Sequence, residues 1–252
     1  MNVRILTLIL LLLMPGGAMA GLSRTTLQTV SANPPPGAKL DLSLTAPDTS
    51  GTRHSIGALL QGHPGFVNFV DYTCRTLCGT DLMLLSDAIR RAGLKPADFR
   101  IIAIGLDPKD SAQAAIKMER DQIPAALHPI TTFLLPDQAT IGKATGALGF
   151  RYAYDAQRDQ FAHPAVVYAI APDGSLRAAL SPLALNAGDL RQVLTTAQPP
   201  SLYQRIRALC YGYDPETGIY TSRIMLLLQA GALATLLLLA LVFLRRYRRQ
   251  PP

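Results

Sequence analysis

Two cysteines four positions apart, Cys74 and Cys78, stand between an apolar run, Phe66–Val70, and an amphipathic stretch that begins near Thr80. The run reads as a short buried strand. Leu82, Leu85 and Ile89 then recur at helical spacing until Gly93 stops them. A dithiol between a strand and a helix N-terminus lies where unpaired N–H groups favour thiolate. At i and i+4 both sulfurs fall on one helical face. That spacing allows a disulfide, and it equally allows two thiolates to share one soft metal ion. A purely structural bridge is the weaker alternative, because closing so small a loop removes little chain entropy.

The remaining chain alternates strands and helices. Leu40, Leu42 and Leu44 alternate with polar neighbours and predict an opening strand, Pro47–Gly51 predicts a turn, and a second short strand follows. Beyond the cysteine helix come a buried strand at Ile101–Ile104, a helix capped by Ser111, a strand at Ile130–Leu135 and a helix over Gln138–Leu148. Val166–Ala171 predicts a strand turned by Pro172-Asp173-Gly174 into a partner at Leu176–Leu180, and Asp189–Thr196 a closing helix. This is the thioredoxin order of elements. The expected fold is therefore α/β, thioredoxin-like with an N-terminal β extension, plus one C-terminal transmembrane helix.

The formal charge of +7 suggests nucleic acid until its placement is seen. Arg4, Arg223, Arg245, Arg246, Arg248 and Arg249 all flank apolar stretches, and without them the chain is close to neutral. The basicity is a membrane-topology signal, and no nucleic-acid partner is expected. Residues 1–20 read as a secretory signal ending in Ala18-Met19-Ala20, and 21–37 as a linker. The thioredoxin-like domain is expected over 38–198 and a juxtamembrane segment over 199–223. Ile224–Leu244 carries no charge over 21 residues, enough to cross about 30 Å of hydrocarbon. The basic tail 245–252 is then cytoplasmic and the domain faces the periplasm from the inner membrane. Cys210, far from the pair, reads as an idle small hydrophobe, although a resolving thiol near the membrane is the alternative.

Two thiolates rarely complete a metal site, which directs attention to the four histidines for a third ligand. His54 and His63 lie in turn-like contexts ahead of the central strand, with His63 at the wrong end of it, and His128 merely precedes a strand. His163 immediately precedes the strand whose leading loop lies against the dithiol in thioredoxin-like folds.

Three separated blocks resemble the Sco/SenC family, the copper-binding assembly factors of cytochrome c oxidase. They are Asn68–Gly79, Gly105–Asp110 and His163–Gly174, within roughly residues 38–198. The resemblance implies one copper ion held by Cys74, Cys78 and His163, with the CuA-bearing oxidase subunit as partner. Arg75 and Gly79 stand where family members usually carry prolines, and Ala162 where they usually carry an Asp that could support the imidazole. Pro164 falls near the place where thioredoxins keep a cis proline. The function expected is a membrane-anchored copper metallochaperone for CuA assembly. The alternatives are a tethered thiol–disulfide oxidoreductase using Cys74 and Cys78 on the subunit's cysteines, or a redox or copper sensor.

Overall fold

The computed structural model describes residues 29–74, 79–157, 159–182, 185, 187–195 and 229–235. An N-terminal extension supplies β1 (Ser31–Ala32), β2 (Thr45–Pro47), β3 (Arg53–Ser55) and α1 (Ile56–Leu60). Then come β4 (Gly65–Val70), α2 (Thr80–Ala92), β5 (Arg100–Gly105), α3 (Ala112–Gln122), β6 (Thr131–Leu134) and α4 (Gln138–Ala147). Three short strands follow: β7 (Phe150–Arg151), β8 (Ala153–Asp155) and β9 (Gln160–Ala162). The chain then forms β10 (Val167–Ile170), β11 (Leu176–Leu180) and α5 (Ala187–Thr195).

The main sheet has the order β11-β10-β4-β5-β6. β4, β5 and β6 are parallel, with Val67 beside Ile102 and Ile102 beside Thr132. Parallel neighbours need crossovers, and α2 and α3 provide them. β10 runs antiparallel to β4, and β11 antiparallel to β10. Gly174 turns that hairpin at φ 87, a conformation glycine adopts without strain. The arrangement is a thioredoxin-type sheet carrying one further parallel edge strand.

β4 reads as a continuous apolar run because both of its faces are covered. Phe66 and Val70 pack with Leu85, Ala115 and Leu190 on one side, and Val67 and Phe69 with Leu60, Ile141 and Leu148 on the other. Leu82, Leu85, Ala88 and Ile89 form the buried stripe that holds α2 to the sheet. Truncating one of these, as in Leu85→Ala, would cost about 2–5 kcal/mol. Ser111 caps α3 as expected, its hydroxyl accepting from the Ala114 amide at 3.2 Å.

The opening strand expected from Leu40, Leu42 and Leu44 is not formed. Asp41 instead accepts from both the amide and the hydroxyl of Ser43, closing a turn that buries Leu40 and Leu44 together. The β extension exists, but it begins at β1 and continues at β2. The segment 1–20, Cys78 and Cys210 lie outside the described residues. Of the expected span Ile224–Leu244, only 229–235 is described, as exposed helix. Among the described residues no helix is long and apolar enough to cross a membrane.

Candidate metal centre

β4 delivers the chain to the cysteine turn. Its last residue, Val70, is followed by Asp71, whose side chain is 1% exposed. The Asp71 Oδ1 atom accepts from the Thr73 amide at 3.0 Å and from the Thr73 hydroxyl at 2.9 Å. Its backbone carbonyl accepts the Cys74 amide at 3.2 Å. The turn is thereby folded on itself with Thr73 exposed and Cys74 half-buried. Cys74 is disulfide-bonded, and its sulfur partner lies outside the described residues.

The same aspartate reaches the histidine segment. Asp71 Oδ2 accepts the Phe161 amide at 3.1 Å, from within β9 and two residues before His163. On the other side of His163, the Asn68 carboxamide donates to the Val166 carbonyl at 3.5 Å. The histidine is thus flanked by two ties to β4, both near the strand's carboxyl end. Asn68 is 1% exposed, and its Oδ1 is buried without a partner among the described residues. By strand alternation it faces the α2 side of the sheet, with Phe66 and Val70.

His163 is half-buried against Phe150, ring centroids 6.1 Å apart. Burial pushes its pKa below the usual histidine value, opposed by the bond to Pro164 and by the Asp71 charge. The bond is between Nδ1 and the Pro164 carbonyl, at 3.1 Å. A carbonyl can only accept, so Nδ1 carries the proton and the neutral ring keeps its lone pair on Nε2. That is the protonation state of a metal-ligating imidazole. The other histidines are committed elsewhere: His54 pairs with Asp48 at 2.9 Å and His128 with the Ile123 carbonyl at 2.8 Å. His63 lies two residues before β4, at the end remote from Cys74. No peptide bond among the described residues is cis, so Pro164 does not reproduce the thioredoxin cis proline.

Several groups at this end went unnoticed in the sequence. Asp110 Oδ2 accepts the Tyr72 amide at 3.1 Å, and its buried Oδ1 has no partner among the described residues. The hydroxyl of Tyr72 stands 3.0 Å from the Ala103 carbonyl and 2.8 Å from that of Leu134, securing the turn to β5 and β6. The β8–β9 hairpin adds Tyr154, whose ring lies 5.7 Å from the Lys109 ammonium. Asp71, Asp107, Asp110 and Asp159 interact electrostatically. Even so, no group of three or more His, Cys, Asp or Glu side chains among the described residues is placed to hold a metal ion. The donor types that suit copper, thiol sulfur and neutral imidazole nitrogen, come from the cysteine turn and His163.

A thioredoxin-type α/β domain presents a cysteine turn and a half-buried histidine on segments tied to the end of its central strand. Residues 39–197 match the SCO1/SenC family model, and the chain belongs to that family. Its fold is similar to a SCO1/SenC family lipoprotein from Bacillus anthracis, at 15% identity and TM-score 0.56, over 64% of this chain and 96% of that one. BsSco, described as a Sco-family cytochrome c oxidase assembly protein with a disulfide switch, is 19% identical, with TM-score 0.55 over 66% and 97%. Bradyrhizobium japonicum ScoI, solved with copper bound, is 22% identical, with TM-score 0.50 over 63% and 99%. No match is found among curated proteins.

Proposed function

We propose that the chain is a membrane-anchored copper metallochaperone that carries one copper ion on Cys74, Cys78 and His163 to the CuA centre of cytochrome c oxidase. The observation that carries this reading is Asp71, which bonds the cysteine turn and the segment leading to His163 with one buried carboxylate. Family membership and the copper-loaded Bradyrhizobium relative support it. Two thiolates and an imidazole suit Cu(I). A turn with Thr73 exposed and Cys74 half-buried lets a client's ligands approach as the first ones leave. The uncharged stretch Ile224–Leu244 and the arginines after it support an inner-membrane anchor with the domain in the periplasm. Such an anchor raises the effective concentration near a membrane-bound client.

The disulfide at Cys74 favours a second reading, a tethered thiol–disulfide oxidoreductase acting on the oxidase subunit's cysteines. Copper titration of the reduced protein separates the two. A chaperone loses affinity by at least about 10–100-fold in each of Cys74→Ser, Cys78→Ser and His163→Ala, because each removes a direct ligand. An oxidoreductase needs both cysteines for exchange, and His163→Ala only slows it. A wild type that binds no copper yet reduces a CuA-domain disulfide would establish the second reading against the first.

A further inference from the structure

We propose that Asp71 is the positioning residue of this centre, holding the cysteine turn and the His163 segment at a fixed separation by giving one carboxylate oxygen to each. The inference rests on the reading above, that cysteine and histidine serve one ligand.

An aspartate that merely shaped the local turn would need only Oδ1, which already accepts from the Thr73 amide and hydroxyl. The second oxygen is spent differently. It accepts an amide 90 positions away in sequence, at Phe161, where β9 runs towards His163. All three bonds are to a buried carboxylate, the class of hydrogen bond worth most. Ala162, beside the histidine, has no polar side chain, so the tie from this segment to the end of β4 is made through the Phe161 amide.

Asparagine at this position keeps the shape but has only one acceptor oxygen; the local turn to Thr73, two residues away, retains it, and the amino group then faces the Phe161 amide, which loses its acceptor. Glutamate keeps the charge but shifts both oxygens by one methylene. The full-length chain, reduced and in detergent, is compared as wild type, Asp71→Asn, Asp71→Glu, His163→Ala and the Asp71→Asn/His163→Ala double variant. Without copper, the Phe161 amide exchanges with solvent about 10–100-fold faster in Asp71→Asn, the loss expected for a bond to a charged group. With copper, Asp71→Asn weakens Cu(I) affinity by at least about 10-fold. The double variant stays within about twofold of His163→Ala, because both changes act through one ligand. Unchanged Phe161 exchange, or losses that add fully in the double variant, would overturn the proposal. Should Asp71→Asn not fold, Asp71→Glu decides the matter by the same two readouts, since its displaced oxygens loosen the Phe161 amide and weaken copper binding in the same direction. If the wild type binds no copper, the metallochaperone reading fails, and Phe161 exchange still decides whether Asp71 holds the two segments together.

Discussion

The Asp110 carboxylate accepts the Tyr72 amide at 3.1 Å, so the loop after β5 grips the turn that Asp71 folds from within. Burial raises the Asp110 pKa to about 7 despite that bond, and Asp71, Asp107 and Asp159 push it the same way. A carboxyl whose folded pKa lies above its unfolded value binds more protons when folded between about pH 4 and 7. Its contribution is therefore most favourable in acid and declines as pH rises through 7. Asp110→Asn keeps an acceptor for the Tyr72 amide and abolishes the charge. Urea unfolding should find it more stable than wild type at pH 8 and close to wild type at pH 4. Asp110→Ala also abolishes the charge but removes the acceptor, so it should be less stable than Asp110→Asn at both, by about 1–3 kcal/mol.

Asp81 presents the same physics more starkly. It is 7% exposed on the buried face of α2, and burial is the sole cause that raises its pKa to about 7. No described residue gives it a hydrogen bond or an ion pair. Three pKa units at 1.36 kcal/mol each set the cost of ionising it at on the order of 2–4 kcal/mol. Asp81→Asn should gain stability of that order at pH 8, and the gain should vanish near pH 4. Equal unfolding midpoints at pH 8 would show that the carboxylate is solvated or paired in solution.

Much of this architecture is legible in the residues, for reasons that can be named. β11 emerges at Leu176–Leu180 as read, because a Pro-Asp-Gly turn fixes where it must begin. β4 and β5 are apolar on both faces, so no alternation is needed to see them. The Leu40–Leu44 pattern misleads because a turn that buries two leucines four apart looks like period-two alternation over five residues. α1 has five residues, too few for a helical period to register. The β8–β9 hairpin is half-exposed and polar, with no apolar run to mark it. At the site, topology alone points to the histidine, whereas Asn68 and Asp71 escape notice as functional groups. The available signal is their polarity within and just after an apolar run, since buried polar groups in a strand must find partners.

Topology is testable without reference to the site. A reporter fused after Pro252 should be active only when it requires the cytoplasm, because Arg245, Arg246, Arg248 and Arg249 resist translocation next to an apolar span. Periplasmic activity at that position would sink the anchor, and intact mass showing Met1 retained would turn the signal into a second anchor.

Gly79 opens α2 at φ −76, a conformation open to any residue and well suited to proline. What a side chain there would displace is Gln122, the last residue of α3. A Cβ on Gly79 would lie 2.7 Å from the Gln122 Cδ atom and 2.8 Å from its Cγ. The glutamine fills the space that the residue after the second cysteine would otherwise occupy. Gly79→Ala should therefore stabilise little or not at all in the wild type, because the gain from a stiffer unfolded chain is offset by displacing Gln122. In a Gln122→Ala background the obstruction is gone, and the same substitution should stabilise by about 0.4–1 kcal/mol. The two changes touch one volume, so their effects on the urea midpoint should be non-additive. Gly79→Pro should follow the same pattern, gaining more when Gln122 is shortened than in the wild type. Strict additivity would show that Gln122 swings clear at no cost and that the glycine owes its place to something else.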